Sequence, residues 1–435
     1  MATDTNLTSK ISQILKKIYF YAAIWADSTK RVERKYDLVD LGFLCIVLAS
    51  VATLSVMINQ ISISSKEINS LLNAKDSYLF SWVNLCLEIF GSSDYGLRGS
   101  FVALHCLNML LMYNIGRIYL KKPSDSLLLM ALYALLPATN LSAILLYKSG
   151  FILFVLLLIC YLQMRFSRPP YVIIFVAGLL DFAFSAVFVA LGAFAIKKGK
   201  TKTFIASILG FCINMYLYED SIGGVPKAYC LDLLGNMAML FSPFLFLYYV
   251  YTLYAALARR REDSLMVYIA TSSLVLMLLL SLRQKVDITQ WTPLLLVGLP
   301  VLVFGFFSDI RVRLKPYKKR FKIRLSLIVG LLVLETLLLF GNKITYLFSP
   351  KPNFAYSYYV AKDLANELKK REIFAIKTQD SSLALRLGFY DIGVGNNACL
   401  YHSKPKGYKS EKIDINYFGV LVERFFLVRH NGCRV

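Results

Sequence analysis

The sequence predicts an all-α polytopic membrane protein of about eleven transmembrane helices, followed by a small external α/β C-terminal domain. Three observations predict it. Of the 435 residues, 57% are hydrophobic and only 17% charged, where a soluble domain carries about 25% charged residues. Apolar runs of roughly 17 to 27 residues recur along the chain, near the 20 or so that a bilayer-crossing helix needs. From residue 342 onward the pattern changes to amphipathic and alternating segments. A transmembrane β-barrel would show short alternating segments throughout.

The runs are 39–58, 99–116, 124–140, 142–163, 170–196, 203–218, 232–257, 264–282, 291–308 and 326–341. Residues 1–38 are mixed and charged, with no small-residue cleavage site after a short apolar region, so the first run reads as an uncleaved anchor. Basic residues cluster between runs. Lys30, Arg31, Arg34 and Lys35 precede the first, Arg117, Lys121 and Lys122 follow the second, and Arg165 and Arg168 follow the fourth. Lys197, Lys198, Lys200 and Lys202 come next, then Arg259, Arg260 and Arg261, then a dense group from Arg311 to Arg324.

Placing every cluster in the cytoplasm satisfies the positive-inside rule only if 170–196 leaves and returns on one side. That stretch, with "AGLLDFAFSA" at its middle, therefore reads as a helical hairpin. The resulting order is a cytoplasmic segment 1–38, a transmembrane domain 39–341 and an external domain 342–435. Its external pieces are 59–98, a link near Asn140, 219–231 and 283–290.

The formal charge of +22 suggests nucleic acid first, but in such a chain it reads as cytoplasmic loops that meet anionic lipid. Cys45, Cys86, Cys106, Cys160 and Cys212 lie in or near apolar segments as small hydrophobes. Cys399 and Cys433 fall in the polar C-terminal region and are candidates for a disulfide in an oxidising compartment. In that region "YSYYVAKDLANELKKREIFAIKT" predicts an amphipathic helix leading into a strand, and "YFGVLVERFFLVRH" a further strand.

Motifs exclude several chemistries. "FAIKKGKT" ends like a phosphate-binding loop, but Phe194 stands at its first glycine position and it lies at a helix end. His105, His402 and His430 share no ligand spacing, and there is no GxSxG or HExxH. Charged residues inside apolar runs are costly. Lys148 either snorkels or meets an external anionic group, Asp181 caps the hairpin, and Glu335 has no evident partner. The loop 59–98 is the richest segment, with Glu67 amid Lys66, Lys75, Asp76 and Arg98. It is either a solvated connector or the place where a carboxylate takes a proton from an acceptor while cations hold a phosphate leaving group.

The stretch "SYLFSWVNLCLEIFGSSDYGLRGS", continued by "LLMYNIGRIYLKKPSDSLLLMALYALLP", resembles the C-type glycosyltransferase superfamily. The closest branch is that of lipid A aminoarabinose transferases and protein O-mannosyltransferases. Phe90, Gly91, Asp94, Leu97 and Arg98 match one signature, and Tyr113, Gly116, Arg117 and Pro137 a second. The resemblance covers roughly residues 60–160.

It implies a multi-spanning enzyme of variable metal dependence that takes sugar from a polyprenyl-phosphate carrier on the outer membrane face. Its acid lies in the first external loop, where Glu67 is the best positional match and Asp76 the second. Lys75 matches the lysine that faces donor phosphate, and Arg98 the signature arginine. The family's acidic pair reads Lys66-Glu67 here, and its lysine-proline-proline element reads Lys75-Asp76-Ser77.

Two further external features could complete a site: Glu219 with Asp220, and Arg283, Lys285 and Asp287. The cations of the second suit a lipid phosphate. The expectation is a glycosyltransferase of a bacterial inner membrane. Glu67 and Asp76 would be catalytic, and Lys75, Arg98, Lys148, Arg283 and Lys285 would bind substrate. Its partners would be the lipid-linked donor, a lipid, glycan or protein acceptor and membrane lipids, without nucleic acid, and a divalent metal is compatible with the family. The alternative is a non-catalytic transporter or scaffold on the same framework.

Overall fold

The computed structural model describes residues 38–73, 78–219, 223, 225–226, 229–347, 358–405 and 410–429. The chain divides at Leu44 into a short N-terminal unit, of which only 38–44 is described, and one unit holding the rest. Lys75, Asp76, Asp220, His430 and Cys433 lie outside the described residues.

Helices occupy every apolar run. In chain order they are α1 (Leu38–Gln60), α2 (Ser65–Asn73), α3 (Tyr78–Phe90), α4 (Asp94–Tyr119), α5 (Asp125–Leu135), α6 (Pro137–Ile144), α7 (Ser149–Phe166), α8 (Tyr171–Leu180) and α9 (Ser185–Lys198). They continue as α10 (Thr201–Leu217), α11 (Tyr229–Phe241), α12 (Pro243–Tyr254), α13 (Leu265–Ser281), α14 (Ile288–Leu296), α15 (Leu299–Val312) and α16 (Lys315–Phe340). Among the described residues four helices are long and apolar enough to cross a membrane: α1, α4, α7 and most of α16. Three bent pairs, α5–α6, α11–α12 and α14–α15, raise that number to seven when each is one span.

The bends have local causes. Pro137 at the start of α6 has no N–H to offer the carbonyls one turn back. Asn140 Nδ2 repairs the break, donating to the carbonyls of Ala134 and Leu136 at 3.0 Å each. Asn140 is therefore buried inside a helix, and the connection expected near it falls instead at Leu145–Lys148. Residues 170–196 form the hairpin expected from the charge pattern. Tyr171 Oη lies 2.6 Å from Thr203 Oγ1 at the start of α10. At the other end of α10, Asn214 Nδ2 donates to the carbonyls of Gly178 and Asp181 at 2.6 and 3.1 Å. The turn is capped by the Asp181 carboxylate, which accepts from Ala183 N at 3.0 Å. Phe188 on α9 fits against the backbone faces of Gly178 and Gly210, where a methyl group would collide with its ring.

Among the described residues the basic clusters gather at one end of the bundle. Lys197 and Lys198 pair with Asp263 at 2.9 and 2.6 Å, and Arg311 pairs with Asp125. Lys121 and Arg260 both lie over the Phe304 ring. Glu67, Asp94 and Asp181 occupy the other end, joined to the first by α4, about 39 Å long at 1.5 Å per residue.

The described residues of segment 59–98 are largely helical. Apolar positions recur there at helical spacing, in α2 and α3. With 13 residues, α3 is too short to span a bilayer. It buries Leu79, Phe80 and Val83 and exposes Trp82, Leu85, Ile89 and Phe90.

The C-terminal residues form α17 (Ala361–Lys370), β1 (Ala375–Thr378), α18 (Ser381–Phe389), β2 (Gly393–Tyr401), β3 (Glu411–Tyr417) and β4 (Val420–Arg429). Sheet order is β1-β2-β4-β3. β1 and β2 are parallel across α18, and the other pairs are antiparallel. Phe418 and Gly419 both take positive φ, 52° and 81°, the two-residue hairpin turn that matches strand twist. Cys399 on β2 is disulfide-bonded. Leu364, Leu368 and Phe425 share one core with Leu54, Ile58, Val102 and Ile144 of the bundle. Residue 342 is thus a boundary of composition rather than of packing.

Candidate functional site

The site is built on Ile61–Ser64, the link between α1 and α2, which two buried arginines grip. Arg98 reaches from α4. Its Nη1 donates to Ile61 O at 3.0 Å, its Nη2 to Ser62 O at 3.2 Å, and its Nε to Ile144 O at 2.9 Å. Arg386 reaches from α18, with Nε donating to Ile63 O at 2.9 Å and Nη2 to Tyr359 O at 2.8 Å and Ser62 Oγ at 3.2 Å. A planar fork of donors suits carbonyls that no strand partner satisfies.

Glu67, in the first turn of α2, closes this arrangement. Its Oε2 accepts from Ser64 N at 2.9 Å, Ser64 Oγ at 3.0 Å and Arg98 Nη2 at 3.2 Å. Its Oε1 accepts from Leu146 N at 3.3 Å. Asp94 extends the network: Lys362 Nζ lies 2.6 Å from Oδ2, and Tyr390 Oη donates to Oδ1 at 2.8 Å. Burial, and then the Asp94 charge, push the Tyr390 phenol far above its ordinary range, so it remains a donor at neutral pH.

Beside Glu67 lies a cavity of about 190 Å³, bounded by Lys66, Glu67, Lys148, Asp287, Tyr147 and Tyr358 among others. Lys148 sits where α6 passes to α7. Its ammonium is 3.6 Å from the buried Asp181 carboxylate and 5.2 Å from the centre of the Tyr78 ring. It is held by a counter-ion at the hairpin tip rather than snorkelling freely. Asp287 caps α14, accepting from Thr289 N at 3.0 Å and Thr289 Oγ1 at 2.8 Å through one oxygen. Burial first, then the Glu67 charge, raise the Tyr358 phenol and keep it protonated. Tyr147 and Thr289 also wall a second, apolar slot of about 70 Å³ that runs along Leu141, Leu240 and Leu296.

The structure therefore brings Glu67 and Lys148 to one cavity and places Arg98 behind Glu67 with no exposed surface. Arg283 and Lys285 are exposed on the link before α14 and do not line that cavity. Lys75 and Asp76 lie outside the described residues. Sequence reasoning missed Lys362, Arg386, Tyr358 and Tyr390, which reach the site from about 300 positions away and carry no local pattern. Glu335, on α16, approaches Ser242 at the α11–α12 break. Among the described residues no three His, Cys, Asp or Glu side chains converge as metal ligands.

Chemically, the cavity offers two ammonium groups, two phenols and two carboxylates beside an apolar slot. That set matches a ligand with an anionic or polyhydroxylated head and a hydrocarbon tail. No family model matches the chain, and no curated protein matches it.

Proposed function

We propose that the protein is a membrane glycosyltransferase that moves a sugar from a polyprenyl-phosphate carrier to a lipid, glycan or protein acceptor. In this reading the bundle crosses a bacterial inner membrane about eleven times, with the N-terminus and basic end cytoplasmic and the C-terminal domain external. Support for the membrane comes from α1 and α16, which turn Leu48, Val56, Leu327, Leu334, Leu337 and Leu338 outward. Such surfaces are at home in hydrocarbon.

The observation that carries the transferase reading is the meeting of Glu67 with Lys66 and Lys148 at a cavity backed by an apolar slot. The Glu67 carboxylate accepts the proton of the acceptor hydroxyl or amine as that group attacks the anomeric carbon. The carbon–oxygen bond to phosphate breaks, its electron pair leaves with the polyprenyl phosphate, and Lys66 and Lys148 hold the released charge. Arg98 and Ser64 hold the carboxylate in place.

A second reading, a non-catalytic transporter or scaffold, is favoured by a different observation. Three donors saturate Glu67 Oε2 and a fourth engages Oε1, as in a structural anchor. Mass spectrometry of lipid-linked and surface glycans, with and without the protein, separates the two. Lys148→Gln and Glu67→Gln should each abolish the protein-dependent product. A product unchanged in both variants sinks the transferase.

A further inference from the structure

At the basic end, away from the Glu67 cavity, a crevice of about 170 Å³ opens between α5, α12, α15 and α16. Leu132, Leu302 and Ile328 form its apolar walls, and Tyr248, Phe321 and Arg324 stand at its edge. Phe321 is stacked on Phe306 with ring centres 5.1 Å apart, and Arg313 lies 4.5 Å over the Phe321 ring. Both Arg313 and Arg324 are exposed, and neither is paired with a carboxylate among the described residues.

Tyr248 Oη is buried at the same place without a hydrogen-bond partner. Asp309, Arg260 and Arg313 are among the groups whose charge is felt at this phenol. Arg260 is already engaged, its Nε 3.1 Å from Glu262 Oε1 and its Nη2 donating to Thr252 O at 3.3 Å. Arg313 and Arg324, neither paired with a carboxylate among the described residues, leave the mouth positive.

We propose that this crevice binds one membrane phospholipid with an anionic headgroup. An acyl chain fills the apolar crevice, the phosphate takes donors from Arg324 and Arg313, and Tyr248 Oη donates to a headgroup or ester oxygen. Guanidinium forks fit phosphate in two-point contacts, and paired positive charges repel a quaternary ammonium, so a zwitterionic choline lipid binds less well. The proposal rests on the membrane reading of the bundle and is independent of the transferase reading.

Native mass spectrometry of the full chain, released from nanodiscs of phosphatidylglycerol or phosphatidylcholine, tests it. One phosphatidylglycerol per chain should be retained preferentially. Retention should fall by at least about tenfold in the Arg313→Gln/Arg324→Gln double variant, which loses two charge-assisted contacts. Ile328→Trp, which fills the crevice and keeps both charges, should displace the lipid equally. Undiminished retention in either variant, or phosphatidylcholine held as firmly as phosphatidylglycerol, overturns the site.

Discussion

Arg98 and Glu67 meet 3.2 Å apart, the guanidinium with no exposure and the carboxylate with 4%. A pair sealed this way is held by the hydrogen bonds that surround it as much as by charge. Every nitrogen of Arg98 finds a carbonyl or carboxylate oxygen, so desolvation is repaid in full only while all partners stay. Removing one partner leaves the other charged and buried. Arg98→Met should lower stability by about 3–5 kcal/mol, read as the unfolding midpoint of the detergent-solubilised protein. A midpoint within error of the parent would show that the pair is dispensable.

The second arginine makes a separate prediction, because it ties the α/β layer to Ile61–Ser64. Arg386 makes charge-assisted contacts to Ile63 O, Tyr359 O and Ser62 Oγ while only 6% exposed. Arg386→Leu should cost about 3 kcal/mol and raise amide exchange at Ile63 and Ser64 before it affects α13. Uniform exchange across the chain would argue against a local tie.

Packing of the 170–196 hairpin depends on Phe188 lying against two glycines. Gly210→Ala should destabilise the protein by about 1–3 kcal/mol through overpacking, and Phe188→Ala by about 3–5 kcal/mol through the cavity left behind. Thermal unfolding of both variants checks the relationship. Two silent substitutions would mean the helices slide past this contact.

At the basic end, hydrogen bonds from Lys198, then Lys197, lower the Asp263 carboxyl from 3.8 to about 2. A carboxylate depressed on folding stabilises above its unfolded value and loses that contribution as pH falls through the folded one. The parent should therefore be more stable than Asp263→Asn at neutral pH. The gap should close between pH 3.8 and about 2, and added salt should narrow it, since the group is exposed. Thermal midpoints across that window decide it. A gap that persists at pH 2 would point to a different origin.

The apolar runs, their order, the hairpin at Asp181 and the C-terminal helix and strands are properties of local sequence. Hydrophobic periodicity and the cost of burying charge act over tens of residues, so they can be read in one dimension. The common gathering of Lys197, Arg260 and Arg311 also follows from where cations fall between runs. Glu67 and Lys148 stand out in sequence as charges beside apolar segments, but their sharing of one cavity does not. Only the folded chain decides that Arg98 is a wholly buried clamp, that Arg283 and Lys285 stand apart from the cavity, and that α18 reaches back to Ser62. The reason is physical: a buried arginine or carboxylate is satisfied by whichever carbonyl, hydroxyl or amide the packing brings within 3 Å or so. Here those partners come from segments as far apart as Ser62 and Arg386, a distance that no local pattern encodes.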